Sequence, residues 1–238
     1  MKSFAYFIGF IGLYSVFKIP VLILFKYLPV TWPATLAEGF AYLCIYILIS
    51  VLFMKIFGFK SCLKREYISF SKIYQFFLSL GGYIAVCIGI EKLWNGAVFT
   101  GHGMGYYILA FLSISFAAFG EILMFVGCLY SCFQSVFSKL MSYIALASLT
   151  GICGVITMAA AAGKFGIEYF ITTFWIYTIV ILLFERTKSL WVCLGLYIAE
   201  HFLSETDLSS GVSSVLVLTA LFIYLLIWLK RSRNIVHV

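Results

Sequence analysis

Long apolar runs separated by short polar segments constrain the fold of this chain more than any other feature. A transmembrane helix needs about 20 predominantly apolar residues, and about eight stretches approach or reach that length. They fall near 4–28, 34–57, 73–95, 106–134, 140–162, 168–185, 189–203 and 211–230. We therefore predict an all-α, polytopic membrane helix bundle of about eight transmembrane helices, forming a single integral membrane domain over 1–238.

The seventh run, 189–203, is too short to cross an unperturbed bilayer by itself. It must extend into its flanks, lie where the membrane is thin, or be shielded by neighbouring helices. Composition agrees with the membrane class, because only 11% of the residues are charged, against about 25% in soluble domains.

Basic residues alternate between successive loops and predict the orientation of the chain. Cytoplasmic loops collect Lys and Arg, so we predict that both termini are cytoplasmic and that the number of spans is even. The same distribution accounts for the net charge of +7 and favours contact with the lipid bilayer over binding of nucleic acid. The basic residues are Lys60, Lys64, Arg65 and Lys72, then Lys139, then Arg186 and Lys188, then Lys230, Arg231 and Arg233.

The seven cysteines lie almost entirely within the apolar runs and contain no C-x-x-C pair. Cys128 and Cys132 share a helix face, but no histidine lies near them in sequence, as a zinc site would require. We predict small apolar packing roles for them, with no metal and no cofactor.

Charged residues inside the runs are the candidates for function, because each costs several kcal/mol unless it faces a partner or a polar cavity. Glu121 lies about 20 Å deep, and His201 lies at nearly the same depth. Equal depth permits a structural hydrogen bond or a proton transfer, and both remain open. The other candidates lie nearer span ends or beside His201: Glu38, Glu91, Lys92 and Glu200.

The segment 116–133, FAAFGEILMFVGCLYSCF, resembles the first motif of the CPBP family (CAAX proteases and bacteriocin-processing enzymes) of intramembrane peptidases. Glu121 matches the first of the family's two adjacent glutamates. Ile122 and Val126 stand where the family has the second glutamate and an arginine. The other matching residues are Phe125, Gly127, Leu129 and Tyr130.

A second resemblance lies at 186–191, RTKSLW, which is similar to the Arg-Thr-Gly-Ser-Leu-Trp turn that precedes the family's third motif. Tyr197 and His201 then match the family's histidine and its asparagine or aspartate, and they share one helix face. Gly151 and Val155 stand where the second motif has phenylalanine and histidine. The CPBP-like core covers about 106–203.

The resemblance implies a glutamate that activates water, with histidine and asparagine stabilising the oxyanion. Because most of those residues are replaced, we predict a catalytically impaired, bacterial plasma-membrane protein that binds a membrane protein or hydrophobic peptide. Regulation, maturation and bacteriocin self-immunity are the roles that the family suggests. The alternative is an active peptidase that uses Glu121, Tyr197 and His201.

Glu200, Trp191 and Arg186 are the candidate binding residues beside this site. A transporter would instead need polar lining on several helices. The sequence indicates few such residues besides Glu121, Glu200 and His201.

Overall fold

The computed structural model describes residues 2–28, 31–59, 64–95, 103–163, 165–206 and 212–235. Within those ranges the chain forms eight long helices and no β-strand, which confirms the all-α prediction. The helices are α1 (Lys2–Lys26), α2 (Trp32–Phe57), α3 (Ile73–Asn95), α4 (Met104–Gln134), α5 (Lys139–Ala162), α6 (Ile167–Thr187), α7 (Leu190–Glu205) and α8 (Val212–Ile235). Two short 3-10 turns, Arg65–Ile68 and Phe70–Lys72, precede α3.

Seven of the eight helices are long and apolar enough to cross a membrane, and the chain is an integral membrane protein. The exception is α7, whose 16 residues give a length of about 24 Å. It packs mainly against α3 and α4, and most of its residues are buried. Neighbouring helices therefore shield the short helix, while its status as an eighth crossing stays a prediction.

Contacts at the helix ends show that α3 and α4 begin at opposite ends of the bundle. Lys72, just before α3, donates a hydrogen bond to the backbone oxygen of Lys188, just after α6 (3.3 Å). At the other end of the bundle, the Tyr106 hydroxyl donates to the backbone oxygen of Glu205 (3.1 Å). Thus α7 runs from the level at which α3 begins to the level at which α4 begins.

Glycines allow several helix pairs to approach closely, as is common in membrane bundles. A Cβ atom added at Gly39 of α2 would lie 2.6 Å from the backbone oxygen of Ser113 in α4. One added at Gly195 of α7 would lie 2.6 Å from the backbone oxygen of Phe76 in α3. These two crossings bring α2, α4, α7 and α3 together around the centre of the bundle.

A buried carboxylate fastens the end of the bundle at which α4 and α6 terminate. Glu185 Oε2 lies 2.6 Å from Lys139 Nζ and 2.9 Å from Lys188 Nζ. Its Oε1 accepts hydrogen bonds from the Tyr130 hydroxyl (2.6 Å) and from Gln134 Nε2 (3.0 Å). We call these five residues the Glu185 cluster, and they join α4, α5 and α6 to the turn before α7.

Candidate functional site

Glu121 stands near the centre of the bundle and accepts hydrogen bonds from three tyrosines on three different helices. The Tyr177 and Tyr197 hydroxyls donate to Oε1 at 2.8 and 2.9 Å. The Tyr46 hydroxyl donates to Oε2 at 3.1 Å. A carboxylate has about four acceptor positions, so these three donors occupy most of them and fix its orientation.

Lys18 of α1 places a cation beside this carboxylate. Its ammonium donates a hydrogen bond to the Tyr46 hydroxyl, which in turn donates to Glu121. The same ammonium lies 3.9 Å from the ring centre of Tyr42 and 4.4 Å from that of Tyr46. Desolvated contacts of this kind contribute about 2 kcal/mol each, which helps to offset the cost of burying Lys18.

The helix that carries Glu121 changes its winding immediately after that residue. Leu123–Leu129 forms a π-helix, and the Tyr130 backbone N–H bonds to Phe125, five residues earlier. Such π segments are frequent at functional sites. Here the wider turn separates Glu121 on the cavity side from Tyr130, which belongs to the Glu185 cluster.

Two cavities meet at Glu121. The first, about 430 Å³, lies among α1, α5, α6 and α7. The second, about 440 Å³, lies between α2, α4 and α7. Both reach the end of the bundle at which α2, α4 and α6 begin, because their linings include residues from those first turns. The side chains shared by both linings are Glu121, Tyr197, His201 and Glu205.

The structure brings together four of the residues that the sequence singles out. Glu121 and His201 both line the same two cavities, while their equal depth stays a prediction. Tyr197 stands between them, with its hydroxyl on Glu121 and its ring centre 4.1 Å from that of His201. His201 Nδ1 contacts Glu200 Oε2 (3.0 Å) and the Tyr197 backbone oxygen (3.2 Å).

Trp191 and Arg186 are not brought to these cavities. The Trp191 indole donates to the backbone oxygen of Ser69 (3.1 Å), in the turn before α3. The Arg186 guanidinium lies 4.3 Å from the ring centre of Tyr224 in α8. Both residues contact neighbouring helix ends, and their role as binding residues stays a prediction.

Most positions that the resemblance matches to missing catalytic residues also lie outside the cavities. Ile122 and Val126 are buried at 2% and 0% exposure, within apolar packing. Gly151 faces Phe170 of α6, and Val155 is not among the residues lining either cavity. The α5 side chains that line the first cavity include Thr150, Cys153 and Thr157.

The expectation that few polar residues line the helices is wrong. Sequence analysis missed Lys18, Tyr46 and Tyr177, although a lysine inside an apolar run is itself a signal of a buried polar site. The tyrosines carried no such signal, because the chain has 16 of them. Polar lining comes from every helix from α1 to α7 except α3: Tyr14, Lys18, Glu38, Tyr46, Ser113, Glu121, Thr150, Thr157, Thr172, Thr173, Tyr177, Tyr197, Glu200 and His201.

Within the described ranges, no group of three or more His, Cys, Asp or Glu side chains is arranged to hold a metal ion. Cys62 lies outside those ranges, and the other six cysteines are free thiols. Comparisons of the chain with protein-family models, curated proteins and solved structures found no match. Any assignment to the CPBP family therefore rests on the motifs and is a proposal.

Proposed function

We propose that this chain is a CPBP-type membrane protein without peptidase activity, and that it binds a membrane protein or hydrophobic peptide in the two cavities around Glu121. Regulation, maturation and bacteriocin self-immunity are the biological roles that the family resemblance suggests for such binding. The joined cavities, each within the range of about 300–1,000 Å³ typical of ligand sites, support a binding role.

The proposal depends on the hydrogen bonds that the Glu121 carboxylate accepts. Three tyrosine hydroxyls already hold the carboxylate that a peptidase would use as its base. A general base must reach the proton of an attacking water, and only about one acceptor position is left for it. The arrangement therefore favours a fixed polar anchor over a base.

Of the two side chains that could donate to an oxyanion, Tyr197 is already engaged. Tyr197 has one hydroxyl hydrogen, and it is directed to Glu121. His201 Nδ1 is engaged by Glu200 and a backbone oxygen. Removing a single oxyanion donor from a working enzyme costs about 10²–10³ in rate, so the engagement of Tyr197 weighs against catalysis.

The alternative, an active peptidase, is favoured by one observation. Glu121, Tyr197 and His201 line the same two cavities, as the rearranged site requires. In that case Tyr197 would rotate away from Glu121 when substrate binds and would donate to the oxyanion.

Glu121→Gln separates the two proposals. The purified full chain and this variant would be incubated with a library of hydrophobic peptides, with retained peptides and new peptide ends both measured by mass spectrometry. We expect both proteins to retain the same peptides and to cleave none. New ends made by the parent chain but not by the variant would establish the peptidase.

Two controls make this comparison specific. Glu66→Gln alters an exposed glutamate that pairs with Lys64 at 3.7 Å, outside both cavities. Size-exclusion chromatography of each variant shows whether the fold is retained. Retention of no peptide by the correctly folded parent chain would overturn the binding proposal.

We also propose a bacterial plasma membrane as the location, with both termini cytoplasmic. Basic residues gather at the end of the bundle that carries the Glu185 cluster, which supports this orientation. The cavities then open toward the outer face. The described basic side chains at that end are Lys55, Lys64, Lys72, Lys139, Arg186, Lys188 and Lys230, whereas Lys60 lies outside the described residues.

A further inference from the structure

The cavities carry an excess of negative charge, although the whole chain has a net charge of +7. Two groups in the linings can be positive, namely Lys18 and, when protonated, His201. Against them stand five carboxylates. These are Glu38, Glu121, Glu168, Glu200 and Glu205.

Most of the partners of these carboxylates are neutral. Glu121 is held by tyrosine hydroxyls, and Glu38 accepts a hydrogen bond from the Tyr42 hydroxyl (2.9 Å). Two of them have a neighbour that can carry charge: Glu200 has His201 at 3.0 Å, and Glu121 has Lys18, which is joined to it through the Tyr46 hydroxyl. Hydrogen bonds from tyrosine satisfy the oxygens but leave the negative charge in place.

Two carboxylates at the mouth of the cavities are exposed. Glu168 lies in the first turn of α6, and Glu205 is the last residue of α7. Within the described ranges neither side chain has an ion-pair partner. Glu205 lines both cavities, so a group entering either one passes it.

Besides the carboxylates, tyrosine rings in the cavity linings can also bind a cation. The Lys18 ammonium already lies on the faces of Tyr42 and Tyr46, which shows that this lining accommodates a cationic nitrogen. Aromatic faces combined with carboxylates favour ammonium and guanidinium groups over neutral or anionic ones. The tyrosines of the two linings are Tyr14, Tyr42, Tyr46, Tyr106, Tyr169, Tyr177 and Tyr197.

We infer that the occupant of the cavities is a hydrophobic peptide segment bearing a lysine or arginine, whose cationic group enters past Glu168 and Glu205 and is held by carboxylates and tyrosine rings. This inference rests on the proposed binding function and adds its charge preference. The apolar part of the segment remains among the helices. The cationic group compensates the excess negative charge of the lining.

Two labelled peptides test the inference. They share one apolar sequence and differ at a single central position, which is lysine in one and glutamine in the other. Their dissociation constants for the full chain, purified in an uncharged maltoside detergent, are measured by fluorescence anisotropy. We expect the lysine peptide to bind about tenfold more tightly, a difference of about 1.4 kcal/mol.

The double variant Glu168→Gln, Glu205→Gln should remove most of this difference and leave binding of the glutamine peptide unchanged. Both residues are exposed, so the fold should be retained. Glu66→Gln is the matched control and should keep the tenfold preference.

The outcomes separate the two proposals. Equal binding of both peptides would overturn the charge preference and leave the binding function standing. Binding of neither peptide would overturn the binding function, and this inference with it. A lysine preference that survives in the double variant would overturn the assignment of Glu168 and Glu205.

Discussion

A lysine in the middle of an apolar helix is costly, and Lys18 is tolerated because Tyr42, Tyr46 and Glu121 surround it. Counting residues along one helix predicts that Glu121 lies inside the bundle, and the structure has it half-buried between two cavities. The sequence does not predict the partners of Glu121, because they lie on helices whose order around the bundle no single-helix pattern contains.

Lys18→Met should lower the free energy of unfolding by about 1–3 kcal/mol, because it removes a charged hydrogen-bond donor from a buried network. The loss should be smaller when Glu121 is already Gln, since the two charges interact through Tyr46. Denaturation in mixed micelles of the parent chain, both single variants and the double variant measures this coupling, expected at about 0.5–3 kcal/mol.

Lys55→Met is the matched control, because Lys55 is exposed in the last turn of α2. It should change the free energy of unfolding little. If the effects of Lys18→Met and Glu121→Gln on the unfolding free energy simply add in the double variant, the tyrosine rings alone hold the Lys18 ammonium.

At the scale of the helix, the bounds of the apolar runs in the sequence predict the bounds of the helices well. The predicted run 106–134 corresponds to Met104–Gln134, and 140–162 to Lys139–Ala162. The π-helix at Leu123–Leu129 was not predicted, because apolar periodicity over seven residues does not distinguish it from an α-helix.

Gly195→Ala should destabilise the contact between α7 and α3. The new Cβ atom would lie 2.1 Å from Ser79 Oγ and 2.6 Å from the Phe76 backbone oxygen, and a backbone atom cannot move aside cheaply. We expect a loss of about 1–3 kcal/mol in unfolding free energy, as for other overpacked interiors.

Gly89→Ala on α3 is the matched control, because an added Cβ there meets nothing within 4 Å. It should be neutral or stabilising by about 0.5–1 kcal/mol. Equal effects of the two substitutions would contradict the close crossing at Gly195.

At the scale of the whole molecule, whether the short helix α7 crosses the membrane decides if the two termini lie on the same side. If α7 crosses the membrane, eight crossings leave the two termini on one side. If it does not, seven crossings place them on opposite sides. Burial of α7 among α3 and α4 favours the first arrangement.

Reporter fusions at the C-terminus show on which side of the membrane it lies. We expect a fused green fluorescent protein to fluoresce and a fused alkaline phosphatase to be inactive, because both would lie in the cytoplasm. The same reporters inserted after Gly163, between α5 and α6, should give the reverse result. An active phosphatase both at the C-terminus and after Gly163 would show that α7 does not cross the membrane.

The Glu185 cluster gives the bundle a mechanical asymmetry. Its ion pairs and hydrogen bonds fix one end of α6, while the cavities hollow out the other end. If α6 tilts, we therefore expect it to pivot about the end that the Glu185 cluster holds. A tilt of about 10° would displace the far end of α6, about 27 Å away, by about 5 Å, so a small angular change suffices to widen the mouth.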